Sequence, residues 1–110
     1  MKLYLDTSNP TCILKLDDKT YEWEAGKELA EGLHQFIYDK LRENGSTWQD
    51  LTEIIFMSGP GSFTGLRIGA AVVNTLADQL KIPLYDHLGN KHPIIIPNYG
   101  REANISLPKK

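Results

Sequence analysis

Ser58-Gly59-Pro60-Gly61-Ser62-Phe63-Thr64-Gly65-Leu66-Arg67-Ile68-Gly69 is the stretch on which the fold turns. Just before it, Glu53 to Ser58 contains Ile54-Ile55-Phe56-Met57. A short continuous apolar run of this kind predicts a strand buried on both faces. After it, the pattern from Phe63 to Lys81 predicts a helix. The block is therefore a strand-to-helix junction, where backbone N–H groups can receive an anion. It does not match the detailed phosphate patterns. A Walker loop needs a Gly-Lys-Ser/Thr ending, and no lysine follows here. In the dinucleotide fingerprint the third glycine comes one residue earlier than Gly65 does after Gly61. Pro60 has no N–H to donate, and no Gly-x-Ser-x-Gly elbow is present. Two readings stay open. One is a structural turn of Gly59, Pro60, Gly61, Ser62 and Gly65, with Ser62 as helix N-cap. The other is an anion or vestigial nucleotide site of Asp6, Gly59, Gly61 and Ser62.

Working outward, Lys2 to Asp6 reads as a strand, and Ser8-Asn9-Pro10 as a turn. Thr11 to Leu16 and Thr20 to Glu24 read as strands around the Asp17-Asp18-Lys19 turn, giving an antiparallel meander. Lys27 to Glu43 carries Leu29, Leu33, Phe36, Ile37 and Leu41 on one helical face, and Asn44-Gly45 stops it. Ser46 to Leu51 reads as a connector with a short helical turn. Ile82 to Tyr85 reads as a strand after the second helix, and Ile94-Ile95-Ile96 could pair as one more. The layout predicts an α/β domain over residues 1–90, with a mixed five-stranded sheet and two main helices, and an extended strand or tail over 91–110. The strand-helix-strand half should form a parallel, right-handed crossover.

Composition narrows the function classes. A chain of 110 residues fits one domain, and 41% hydrophobic with 24% charged residues is the balance of a globular protein. A net charge of −2 disfavours independent binding to polyanionic RNA, which needs clustered Lys and Arg. A single cysteine, Cys12, allows no internal disulfide and no thiolate zinc cluster, which predicts a reducing, cytoplasmic setting. In the apolar run Cys12-Ile13-Leu14 the thiol is expected to be buried and inert. No signal peptide or membrane-spanning segment is expected.

The remaining candidates are weighed against plainer roles. Asp6 ends the first strand and suits an Asx turn capping Thr7-Ser8-Asn9 as well as an anion site. His34, His87 and His92 have no metal-ligand spacing, so no metal or other cofactor is expected. Ser62 and Thr64 have no local base, so no catalytic residue is assigned. The second helix has Ile68, Val72, Val73, Leu76, Ala77 and Leu80 along one side and the small residues Ala70, Ala71 and Asn74 on another. Such a helix should be buried by more than one neighbour, leaving a flank for a partner or for the C-terminal tail. With His34 and Tyr38 of the first helix, Ala70, Ala71 and Asn74 form the candidate partner surface.

Gly59 to Gly69 resembles the signature of the TsaB (YeaZ) family. Lys2 to Ser8, with Asp6-Thr7-Ser8, and Ile82-Pro83-Leu84 resemble that family's opening and its strand after the second helix. The resemblance covers about the first 85 residues and implies an actin/hexokinase-like (ASKHA, RNase H-like) domain. It implies a non-catalytic partner of TsaD, the paralogue that transfers a threonylcarbamoyl group to adenosine 37 of tRNA, with TsaE as a further participant. The net charge leaves contact with tRNA to partners, and the apolar second helix predicts self-dimerisation where TsaD is absent. The resemblance does not extend to the family's usual second domain, and a version without it is expected. Pro97-Asn98-Tyr99-Gly100-Arg101 resembles a Pro-x-Tyr-x-Arg element near the family's C-terminus, which implies a compact version of the protein. The rival reading is an enzyme, either a small ASKHA-type nucleotide hydrolase using Asp6 and the Gly59–Gly65 turn or a glycoprotease-like protein.

Overall fold

The computed structural model describes residues 1–98. Strands β1 (Lys2–Asp6), β2 (Thr11–Leu16) and β3 (Lys19–Glu24) form the expected antiparallel meander. Helix α1 (Leu29–Glu43) follows a 3-10 turn, and a second 3-10 turn, Trp48–Asp50, leads to β4 (Glu53–Phe56). Helix α2 (Phe63–Leu80), β5 (Leu84–Asp86) and β6 (Lys91–His92) complete the chain order. The sheet runs β3-β2-β1-β4-β5-β6, with β1/β4 and β4/β5 parallel and the other pairs antiparallel.

The sheet has six strands, where the sequence predicted five. The sixth is not Ile94–Ile96. After the turn at Asp86 the chain folds back, and Lys91 and His92 pair with Tyr85 and Leu84. Pro93, which lacks an N–H, then ends the pairing. The predicted similarity at Tyr99 to Arg101 lies outside the described residues.

Strand register places the core. Leu3 pairs with Leu16 and Ile54, Leu5 with Leu14 and Phe56, and Ile54 with Leu84. All seven are buried, and they form one apolar face. Helix α1 meets that face with Leu29, Leu33, Ile37 and Leu41, a stripe of period four. Helix α2 meets it with Leu66, Ala70, Val73, Leu76 and Ala77. Both helices lie side by side on the same face of the sheet. The other face carries Lys15, Tyr4, Ile55 and Tyr85 in one row, with the last three only half-buried. Strand β4 is therefore buried on one face, with Ile54 and Phe56 inside, rather than on both as its composition predicted.

Local chemistry fixes the helix ends. The Ser62 hydroxyl accepts from Gly65 N–H (3.2 Å), capping α2. Helix α1 ends at Asn44-Gly45, where Gly45 takes φ 68° and Ser46 N–H returns to Leu41 O (2.9 Å). Asn44 Nδ2 also donates to the Tyr21 hydroxyl (2.8 Å), tying the helix end to β3. Among the described residues no helix is long and apolar enough to cross a membrane.

Candidate functional site

The end of β1 and the start of α2 meet where the strand-to-helix block predicts a site. Thr7 and Ser8 leave β1 fully buried or nearly so, at 0% and 5% exposed. The Thr7 hydroxyl donates to Gly65 O (2.7 Å), and Ser62 N–H donates to Ser8 O (2.9 Å). Three glycines permit this approach. A Cβ on Gly61 would lie 2.7 Å from Ser8 O, one on Gly65 would overlap Thr7 O, and one on Gly69 would overlap the Thr7 hydroxyl. Two N–H groups at the head of α2 are thus already bonded within the chain, Ser62 to Ser8 and Gly65 to Ser62. The Asp6 carboxylate accepts from both the N–H (2.8 Å) and the hydroxyl (2.5 Å) of Ser8, closing an Asx turn. Gly59 takes φ 119° beside a cis Gly59–Pro60 bond, and a Cβ there would overlap Asn98 O.

Sequence reasoning missed two polar pairings at the carboxyl ends of β4 and β5. His87 Nδ1 lies 3.3 Å from both the N–H and the hydroxyl of Ser58. His92 Nε2 lies 2.8 Å from Asp86 Oδ2. Asp86 also accepts from Leu88 N–H and Asn90 N–H, each at 2.9 Å. The hydrogen bond from His92, followed by the backbone of Asn90, holds the Asp86 carboxyl well below the usual carboxylate range, against the effect of burial. Ser58 and His87 are 29 residues apart, so no local spacing could reveal their contact. Among the described residues no three His, Cys, Asp or Glu side chains gather to hold a metal. Cys12 is buried, and burial, then the Asp6 carboxylate, pushes its thiol up to about 12.

The structure divides the candidate partner residues. His34 stacks on Trp48 at 4.9 Å between ring centroids, and Tyr38 on the same ring at 6.2 Å. The Arg42 guanidinium lies 5.7 Å over the Tyr38 ring. Trp48 thus joins this cluster, although it lies ten residues beyond Tyr38 and off the helix (48 − 38 = 10). Ala71 is exposed, as expected. Ala70 is only 4% exposed and belongs to the core. The sheet-facing side of α2 centres on Leu66, Val73 and Ala77, and Ala70 falls within that sector rather than opposite it. Asn74 is bound to the chain itself. Its side chain donates to Ile95 O (3.1 Å) and accepts from Ile95 N–H (2.9 Å).

A family model described as "TsaD: tRNA N6-adenosine threonylcarbamoyltransferase" matches residues 23–87. The Bacillus subtilis "tRNA threonylcarbamoyladenosine biosynthesis protein TsaB" is 33% identical over 87 residues, covering 74% of this chain and 38% of the relative. The protein of the same name from Buchnera aphidicola subsp. Schizaphis graminum is 44% identical over 87 residues, covering 76% of this chain and 41% of the relative. The structure of "YeaZ from Pseudomonas aeruginosa" superimposes with a TM-score of 0.69 at 32% identity, covering 77% of this chain and 42% of that one. The chain spans about two-fifths of the length of the relatives it matches, 38% and 41%.

Proposed function

The chain belongs to the TsaB (YeaZ) family across about three-quarters of its length, and on that premise we propose that it serves threonylcarbamoyladenosine synthesis in tRNA as a non-catalytic partner of TsaD. The fold is then of the actin/hexokinase type and the setting cytoplasmic. TsaE is a further participant, and tRNA is reached through partners, in keeping with a net charge of −2.

The observation that carries the non-catalytic reading is the niche at the head of α2. In a nucleotide-binding relative of this architecture that niche would receive phosphate oxygens. Here Thr7 and Ser8 press into it past Gly61, Gly65 and Gly69, Ser8 O taking the Ser62 N–H and the Thr7 hydroxyl the Gly65 carbonyl. The Gly59–Gly65 turn is then a packing device, and Asp6 secures its own turn. The partner reading rests on the outward side of the helix pair, with Ala71 on α2 and the His34–Trp48–Tyr38 stack beside α1. Small residues let a second helix approach to roughly 8–10 Å between axes. When TsaD is absent, the same helices serve a two-fold self-dimer.

The test is Ala71→Arg. The position is exposed, so the variant should fold and melt like the wild type. An arginine forced unpaired into a helix interface costs several kcal/mol (roughly 3–5). Binding to TsaD, measured by titration calorimetry, should fall by at least about a hundredfold, and self-association in sedimentation should disappear. The wild type should turn over neither ATP nor peptide. Metal-dependent ATP turnover that is lost in Asp6→Asn, or unchanged TsaD binding in Ala71→Arg, would overturn the reading.

A further inference from the structure

After β6 the chain continues as Pro93-Ile94-Ile95-Ile96-Pro97-Asn98 along the flank of α2. Its attachment is economical. Asn74 binds both backbone groups of Ile95, at 2.9 and 3.1 Å, as a neighbouring strand would. The Ile95 side chain is 2% exposed and joins the core. Asn98 N–H donates to Ser58 O (2.6 Å). The residues on either side of the anchor stand in water, Ile94 at 62% and Ile96 at 82% exposed. Ile95 is the one buried side chain among these six residues, and its neighbours Ile94 and Ile96 bury little. A segment with so few buried contacts belongs to the low-stability end of local opening.

This strap stands where a docking helix would have to pass. Between it and α2 runs a groove of about 550 Å³, lined by Arg67, Ala71 and Asn74 on the helix and by Ile96 and Pro97 on the strap. A helix seated closely on Ala71 must place its own side chains in that groove. Ile96 and Pro97 form one wall of it, and Asn74, the outer polar group of the flank, is occupied by Ile95.

We infer that Pro93–Asn98 is a displaceable strap that competes with the partner's helix for the Ala71–Asn74 flank of α2. Docking and strap release are then one coupled equilibrium. The inference rests on the partner reading above. The strap-closed state lowers the apparent affinity for the partner by the fraction of molecules that are open. By reciprocity, the bound partner loosens the strap by the same factor.

The test uses the full chain carrying Ile95→Asp. A carboxylate is not held in an apolar seat without a partner group, and the substitution leaves every residue of α2 unchanged. Strap release is read by hydrogen exchange at the Ile95 and Asn98 amides, and TsaD affinity by titration. The expected result is loss of protection at both amides and about tenfold tighter TsaD binding. TsaD added to the wild type should also deprotect Ile95. Ile95→Ala loses packing alone, should move both readouts less in the same direction, and keeps the test decisive if the aspartate variant does not fold. A released strap with unchanged or weaker TsaD binding overturns the competition while leaving the partner reading intact. So does an Ile95 amide that stays protected in the wild-type complex. If neither wild type nor variants bind TsaD, both the partner reading and the competition fall.

Discussion

At Gly65 a single methyl group decides whether β1 and α2 can meet. The Thr7 carbonyl occupies the space a Cβ would need, and the Thr7 hydroxyl is bonded to Gly65 O at 2.7 Å. Gly65→Ala must push the helix from the strand end, an overpacking change that costs about 1–3 kcal/mol. In a domain of this size each kcal/mol lowers Tm by roughly 4–8 °C, so a thermal melt will register it. An unchanged Tm would mean that the strand end and helix are not in contact in solution. The sequence made the glycines, the Ser62 cap and the Asx turn at Asp6 legible, because each is a local matter of turn and cap chemistry. It could not reveal what fills the niche. Thr7 comes from 58 residues away, and a run of glycines looks the same whether it admits an anion or the chain's own backbone. Ala70 and Ala71 failed to separate for a related reason. They differ by one helical step, and a helix apolar on most sides does not fix its own rotation.

The β5–β6 hairpin should be sensitive to acid. Its turn is organised by one carboxylate, that of Asp86, which takes the N–H groups of Leu88 and Asn90 and the ring of His92. Folding lowers this group's pKa from its ordinary value of 3.8, so the folded state binds its proton less readily than the unfolded chain. The stabilisation is complete above that ordinary value, declines as pH falls below it, and is lost only once pH passes the folded group's own, lower value. Melting temperature followed from pH 7 to pH 2 should therefore drop in the acid limb. Asp86→Asn should melt lower than the wild type at pH 7, by a margin that narrows as pH falls from about 4 towards 2. A constant gap between the two at every pH would remove Asp86 from that role. The element map was otherwise readable to within a residue or two for β1, β2, β3, α1 and α2, whose periodicity and caps agree. Strand β6 was not, since two polar residues, Lys91 and His92, carry no apolar pattern. They are placed by the Asp86 turn, whose bonds reach forward to His92.

At the scale of the molecule, helices cover one face of the sheet only, among the described residues. Neighbouring residues of β4 should therefore behave differently. Ile54 is fully buried beneath the helices, and Ile54→Ala should cost about 2–5 kcal/mol. Ile55 lies in the half-exposed row with Tyr4 and Tyr85, and Ile55→Ala should cost less than half as much in a denaturant titration. Equal losses would mean that the second face is covered in solution. The α/β class, the meander and the parallel crossover were legible from the order of periodicities. One-sidedness was not, because Ile54-Ile55-Phe56-Met57 has the same composition whether one face or both are enclosed. The parallel pairing of β1 with β4 also bears on how the chain is made. Strand β1 gains its first neighbour from β2 almost at once, but Lys2–Leu5 pairs with Glu53–Phe56 on its other side. A growing polypeptide must carry that apolar edge unpaired while about fifty more residues are added, which takes roughly 2–10 s at ordinary rates of synthesis. During those seconds on the ribosome, Leu3-Tyr4-Leu5 is an open template for the wrong strand, and shielding of the nascent chain matters most before Phe56 has emerged.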